Sequence, residues 1–348
     1  MEFKTSVEEL DTREIVESKY INWNFYKNST IMVTGATGLL GSQIVNSILY
    51  ANEILDTNIT ILALVRNIEK AKKIFNENDK LIFVVQDISK QLSSQEKIDY
   101  IIHTANGTAS KEFVENPVET IESIVVGTKN ILEYAKNNNV KSIVYLSSME
   151  VFGQTDFERT TPLKEEDYGY IDIHKVRSSY PEGKRLAECM CVSYAAEYDV
   201  NVKIARLVQT IGAGVDYNDN RVFAQFARNI VEKQDIILHT TGESTRSYCY
   251  VTDAITAIFV MLERGIKGEC YNVANTNTAC SIKEMAQMLC DKYPESKLVI
   301  DLENTNNQYY LPKTKTILDS NKLENLNWNA TVSLEEMFDK LIFNFKNF

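Results

Sequence analysis

The sequence predicts an α/β fold, a doubly wound parallel sheet followed by a smaller C-terminal α/β lobe. Three observations predict it. Short apolar, β-branched runs alternate with helical patterns from residue 30 to Leu207. These runs lack a polar alternate face, as strands buried on both sides require. The first run ends in a glycine-rich turn that opens a helix, and beyond Leu207 the alternation loosens into helices with short strands between.

In chain order, residues 1–29 read as an N-terminal extension with some helix and no assigned chemistry. TIMVT (30–34) is the first strand, with a helix from about Leu39. TILALV (60–65) is the second strand, followed by a short helix, then LIFVV (81–85) and DYIIHT (99–104). One helix is expected from Val118 to Lys136, then the strand SIVYLS (142–147), a helix from Tyr180 to Tyr198, and the strand VKIARL (202–207). Strands separated by helices read as βαβ units. Later helices are expected at 221–233, 253–264, 281–292 and 333–346.

Composition excludes whole classes of protein. Of 348 residues, 44% are hydrophobic and 24% charged, close to globular averages and unlike a disordered chain, a collagen or a coiled coil. No run of about 18 apolar residues is present, so no membrane span is expected. The start, MEFKTSVEELDTREIVE, reads as neither a secretory signal nor a transit peptide. A net charge of −11 disfavours nucleic acid as a partner. The six cysteines form no C-x-x-C pair and only three histidines accompany them, so reduced thiols, a cytoplasmic location and no metal site are expected.

The turn after the first strand is Thr34-Gly35-Ala36-Thr37-Gly38-Leu39-Leu40-Gly41. Gly35 permits the tight turn, Gly38 lets backbone approach a pyrophosphate, and Gly41 lets helix and strand pack closely. The N–H groups of Leu39, Leu40 and their neighbours then face the phosphates at a helix N-terminus. A glycine pattern alone is weak; a strand before it and a helix after it make dinucleotide binding the reading, against a purely structural turn. The fold is therefore Rossmann-type, with an NAD(P)-binding domain at 30–212 plus 246–275 and a substrate-binding lobe at 213–245 and 276–348. The spacing G-x-x-G-x-x-G resembles the extended branch of the short-chain dehydrogenase/reductase superfamily. The second strand ends in Leu64-Val65-Arg66-Asn67 without the acid that would hold an NAD ribose. Arg66 suits a 2′-phosphate or stacks on adenine, so NADP is favoured and NAD stays open; an exposed loop arginine is the plain alternative. Asp87, with Ile88 beside it, resembles the family residue that contacts the adenine amino group, although a helix cap would look the same. Thr104 and Ala105, after the fourth strand, are also assigned to the cofactor.

Tyr180-Pro-Glu-Gly-Lys184 places a phenol and an ammonium on one helix face. A free tyrosine has a pKa of about 10. A neighbouring ammonium and an oxidised nicotinamide both favour phenolate, so Tyr180 becomes a candidate base. Lys184 can also reach the nicotinamide ribose. Tyr293-Pro-Glu-Ser-Lys297 repeats the pattern and reads as a chance match in a surface turn. Ser147 and Ser148 close the strand before Tyr180, and Ser148 resembles the family hydroxyl that binds the reacting alcohol. Ser148, Tyr180 and Lys184 form the candidate triad.

Ser147-Ser148-Met149-Glu150-Val151-Phe152-Gly153 looks like the S-T-x-E-V-Y-G segment of nucleotide-sugar decarboxylases and 4,6-dehydratases. The resemblance puts Glu150 near C5 of the sugar, as a base or a polar contact. Met149 stands where dehydratases keep an aspartic acid and cannot donate a proton. Arg177 to Arg185 (RSSYPEGKR) is similar to R-x-C-Y-D-E-G-K-R of UDP-glucuronate decarboxylases. Asn220-Arg221-Val222 and Ser244-Thr245-Arg246-Ser247-Tyr248 look like that family's diphosphate-binding segments, and guanidinium forks suit a diphosphate. Gln209 stands where a substrate-contacting Asn is common, and Ile124 where an Asn often lies beside the active-site helix. The resemblance implies the NAD-dependent epimerase/dehydratase family: a nucleotide-sugar substrate oxidised at C4 to a 4-ketone, a homodimer, and a place in polysaccharide biosynthesis. UDP-hexuronate decarboxylation is the first expectation and 4- or 5-epimerisation the alternative. A 4,6-dehydratase, an NADPH-dependent keto-sugar reductase and a non-catalytic dinucleotide sensor stand behind them.

Overall fold

The computed structural model describes residues 6–92, 96–105, 107, 110–302 and 313–347, so the first five residues of the N-terminal extension lie outside it. The extension opens with α1 (Val7–Glu17), whose Ser6 and Glu9 form a reciprocal cap over the first free N–H groups. Then follow β1 (Thr30–Thr34), α2 (Leu39–Leu55), β2 (Thr60–Val65), α3 (Ile68–Ile74), β3 (Leu81–Val85) and β4 (Tyr100–His103). Next come α4 (Ser110–Glu115), α5 (Pro117–Ile121), α6 (Gly127–Asn138), β5 (Ser142–Ser148), α7 (Ser179–Tyr198) and β6 (Val202–Leu207). The later part holds β7 (Gln209–Ile211), α8 (Val222–Val231), β8 (Ile236–Leu238), β9 (Thr245–Tyr250), α9 (Val251–Arg264) and β10 (Cys270–Val273). It ends with β11 (Asn275–Ser281), α10 (Ile282–Lys292), β12 (Leu298–Ile300), β13 (Lys315–Thr316), α11 (Asn321–Glu324) and α12 (Leu334–Lys346).

Seven strands form one parallel sheet in the order β10-β6-β5-β4-β1-β2-β3. The chain reverses direction across the sheet between β1 and β4, and the crevice outside the carboxyl ends at such a switch point is where α/β sheets bind ligands. Successive side chains of a strand point to opposite faces. Ile31 and Val33 accordingly join one core with Ile44, Ile48 and Ile258, while Met32 joins a second with Ile131, Leu132 and Cys191. Both faces are covered, which is why these strands read as unbroken apolar runs. A second sheet joins β9 to β11, β13 and β7, and β8 pairs with β12.

The N-terminal extension is stitched into both parts. Helix α1 packs on α2 and α9. Its Asp11 is 1% exposed, accepts the Tyr250 hydroxyl at 2.7 Å and pairs with Lys340 of α12 at 3.1 Å. The sequence predicts a single helix over 118–136, whereas the structure divides it into α5, a π-helical turn at Glu122–Val126, and α6. The wider turn sets Ile124 against α7, where a Cβ on Gly183 would come within 3.3 Å of it. The second Tyr-x-x-x-Lys falls off the end of α10: Tyr293 caps that helix and the chain turns before Lys297.

Lys203 of β6 is 1% exposed, and its ammonium donates to the Ser142 hydroxyl at 2.7 Å with no carboxylate partner among the described residues. Burial pulls its pKa down to about 8. The charged form therefore weakens the fold below about pH 8, and the penalty lifts as the group loses its proton between there and its unfolded value near 10.5. Lys203→Met is expected to stabilise the protein by about 1–3 kcal/mol at neutral pH. The gap to wild type should close toward pH 10, as read by urea unfolding across that range.

Candidate active site

At the end of β1, Gly35 adopts φ +64°, and a Cβ there would press to 2.8 Å on Ala105 and on the Thr104 hydroxyl. Thr104 donates to the Thr34 carbonyl at 2.5 Å, and the Ala105 N–H donates to the Thr34 hydroxyl at 3.0 Å. The β4 loop is thus tied to the glycine turn. A Cβ on Gly41 would come to 2.3 Å from the Gly35 carbonyl, so helix and turn can meet only at glycine. Gly38 caps α2 without a side chain, and its missing Cβ would meet nothing nearer than 3.4 Å. No side chain of the N-cap satisfies the first N–H groups of this 17-residue helix, which carry a partial positive charge. Thr37 lies in this same turn, and Leu39 and Leu40 open α2. The turn and the uncapped helix end fit a dinucleotide pyrophosphate.

Arg66 is exposed at the end of β2, and its charge acts on Asp87 beyond β3. Asp87 accepts the Ser89 N–H at 2.8 Å, and this bond, with Arg66 nearby, holds its carboxyl below the usual range. Ile88 is buried against Gly127 of α6. These residues stand in one row with the glycine turn because β1, β2 and β3 are parallel neighbours.

The second group of candidates lies on β5 and α7. Pro181 falls in the first turn of α7, where a missing N–H costs nothing. Tyr180 is 6% exposed and stacks on Phe113 at 4.1 Å with an interplanar angle of 11°. The Lys184 ammonium lies 5.8 Å from the Tyr180 ring and 4.8 Å from the Tyr145 ring, and donates to the Leu146 carbonyl at 2.6 Å. The Ser148 hydroxyl accepts the Glu150 N–H at 3.2 Å and lies close enough to Tyr180 to influence its phenol.

The electrostatics differ from the sequence expectation in an instructive way. Burial and then the Glu150 charge push the Tyr180 phenol well up; the Ser148 hydroxyl and Arg177 pull it down. Burial likewise lowers Lys184 to about 7. The protein by itself thus favours the phenol, and an oxidised nicotinamide, if bound beside Tyr180, would supply a positive charge that opposes burial.

Glu150 and Arg177 face each other in a forked pair, Nη2 to Oε1 at 2.8 Å and Nη1 to Oε2 at 2.8 Å. The Arg177 guanidinium also covers the Phe113 ring at 5.2 Å. Met149 starts the short 3-10 turn that carries Glu150 and packs on the core. Of the remaining candidates, Arg221 is turned onto Asp219, with Nη2 to Oδ2 at 2.6 Å. Arg246, half-buried on β9, has no ion-pair partner among the described residues. Gln209 on β7 pairs in register with Tyr248 of β9, two positions from Arg246. The structure therefore unites the glycine turn with the β4 loop, and Ser148 with Glu150, Arg177, Tyr180 and Lys184.

Sequence reasoning missed Phe113, whose stretch carries no pattern of its own, and the buried pair Glu188–Arg206, joined at 2.7 Å behind Lys184. The latter had a signal: an arginine inside the apolar strand VKIARL. A buried arginine demands a carboxylate.

The profile of the NAD dependent epimerase/dehydratase family matches residues 31–274. UDP-glucuronic acid decarboxylase 6 of Arabidopsis thaliana is 28% identical over 316 residues, covering 90% of this chain and 87% of the relative. Among solved structures, UDP-glucose 4-epimerase of Thermotoga maritima with UDP-glucose superposes with a TM-score of 0.76 at 21% identity, over 91% of this chain and 99% of that one. The dTDP-glucose 4,6-dehydratase of Bacillus anthracis in complex with NAD gives 0.74 at 20% identity, over 92% and 97%. At such identities the structural likeness speaks for the fold.

Proposed function

Because this chain belongs to the NAD-dependent epimerase/dehydratase family, we propose that it is an NAD(P)-dependent enzyme that oxidises a nucleotide sugar at C4 and decarboxylates a UDP-hexuronate. The observation that carries the reading is the forked Glu150–Arg177 pair beside Tyr180, next to Met149. Elimination of water needs an acid for the leaving hydroxyl; here one neighbour is a thioether and the other a carboxylate already engaged by a guanidinium. Loss of carbon dioxide from a β-keto acid needs no such acid, because the 4-ketone accepts the electron pair. The likeness to UDP-glucuronic acid decarboxylase supports the same choice.

In this reading the residues divide the work. Gly35, Thr37, Gly38, Leu39, Leu40 and Gly41 hold the pyrophosphate, and Arg66, Asp87, Ile88, Thr104 and Ala105 line the rest of the cofactor. Bound NAD(P) supplies a hydride acceptor and donor. Ser148 orients the C4 hydroxyl, Tyr180 takes its proton and returns it, and Lys184 holds the ribose. Arg221 and Arg246 bind the nucleotide diphosphate and Gln209 contacts the substrate; engaging the diphosphate would require Arg221 to exchange Asp219 for phosphate. Residues 30–212 with 246–275 serve the cofactor, and 213–245 with 276–348 the nucleotide sugar.

The test is a panel of UDP-, dTDP-, GDP- and CDP-sugars including UDP-glucuronate, followed by product mass. Loss of carbon dioxide from a UDP-hexuronate is the expected result. An unchanged mass with a new sugar configuration would make it an epimerase, loss of water a dehydratase, and net oxidation of NADPH a reductase. We place the enzyme in the cytoplasm, in polysaccharide synthesis, supported by six free thiols. No helix among the described residues is long and apolar enough to cross a membrane.

The homodimer has a surface to use. Val118, Ile121, Ile173, Val176 and Leu186 are exposed around the outer faces of α5 and α7. Apolar patches of this kind mark interfaces. Ile121→Lys with Leu186→Glu is expected to convert the dimer to a monomer in light scattering behind size exclusion, with native far-ultraviolet dichroism retained.

A further inference from the structure

The face of α7 that carries Tyr180 and Lys184 continues one turn further. Residues four apart on a helix lie on one face, and the next such residue, Glu188, is 5% exposed. All three dock on the end of β5. Tyr180 lies beside Ser148, Lys184 donates to the Leu146 carbonyl at 2.6 Å, and Glu188 Oε1 accepts the Ser147 hydroxyl at 2.5 Å. Arg206 of β6 is in register with Ser147 and 1% exposed. Its Nε and Nη2 reach the Glu188 carboxylate at 3.0 Å and 2.7 Å. Its Nη1 donates to the Glu165 carbonyl at 2.6 Å. Glu188 is thus fixed from two strands at once.

A buried ammonium that has only a carbonyl partner tends to shed its proton. The groups facing Lys184 from each element decide whether it does. From β4 comes His103, buried and held neutral by a pKa lowered to about 3. From β5 comes the Tyr145 ring. Glu150 and Arg177, beyond Tyr180, pair with each other, and Ile124 faces α7 at Gly183. On α7 itself lie Tyr180, Cys191 and Glu188, and against the burial that lowers Lys184, Glu188 is the first opposing influence. Arg206 of β6 is already taken up by Glu188.

We propose that Glu188 is a positioning residue for the reaction, a buried counter-charge clamped by Ser147 and Arg206 that favours the charged form of Lys184 and holds it in register with Tyr180. The proposal rests on the reading of Tyr180 and Lys184 as the acid–base pair.

The experiment follows the Lys184 Nζ resonance through a pH titration of the full-length [15N]lysine-labelled protein with NAD bound, beside the pH profile of kcat. The double variant Glu188→Gln, Arg206→Gln removes the counter-charge without stranding a buried guanidinium. Ser147→Ala keeps both charges and loosens the clamp. The double variant is expected to lower the proton affinity of Lys184 about tenfold and Ser147→Ala about twofold. The alkaline limb of kcat should move to lower pH in the same order. An unchanged Lys184 midpoint in a variant with native circular dichroism overturns the proposal, and Ser147→Ala decides alone if the double variant does not fold. A shifted midpoint with an unmoved kcat profile upholds the Glu188–Lys184 coupling and instead sinks the acid–base reading of the pair.

Discussion

Tyr180→Phe is expected to cut kcat about 10²–10⁴-fold while leaving cofactor affinity and melting temperature nearly unchanged. The phenylalanine ring keeps the stack on Phe113 at 4.1 Å, so the pocket wall survives and only the hydroxyl is lost. That hydroxyl is the proposed acceptor of the C4 proton, with the Ser148 hydroxyl nearby. Burial and Glu150 raise the phenol, so the wild-type rate should climb with pH until Tyr180 ionises. The variant should lose that limb as well as the rate. Single-turnover kinetics with a saturating cofactor, beside a cofactor titration, measure both. Full activity in Tyr180→Phe would remove the assigned base.

Much of this architecture was legible because local rules and the global fold agree. Gly35 and Gly41 each answer a separate backbone demand that the structure shows: a positive φ, and a 2.3 Å clash for any Cβ. The strands of the main sheet announce themselves because both faces are buried. Tyr180 and Lys184 share a face by helix geometry alone. What escaped lies where sequence spacing carries no distance. Glu150 and Arg177 are 27 positions apart and meet only because β5 and the start of α7 converge. The π-helical turn at Glu122–Val126 leaves no trace in a periodicity too short to separate it from an α-helix. The smaller sheet is built from strands as short as Lys315–Thr316, below the length at which alternation can be read.

The Glu150–Arg177 pair sets the second large effect. Arg177→Met leaves a carboxylate beside Tyr180 with its partner gone. Glu150 already raises the phenol and Arg177 lowers it, so the acid limb of kcat/KM should move to higher pH and the rate at neutral pH should fall about 10–100-fold. Glu150→Gln removes the negative charge and should move that limb to lower pH. The two changes are therefore expected not to add. In the double variant, Glu150→Gln should recover part of what Arg177→Met loses, with a coupling of about 1–3 kcal/mol across the cycle. The same cycle separates two roles for Glu150. If its carboxylate works as a free base at C5, Glu150→Gln is as damaging with methionine at position 177 as with arginine, and the coupling vanishes. If the carboxylate matters through its pairing, the loss depends on which residue occupies position 177, and the forked geometry at 2.8 Å is what selects between them.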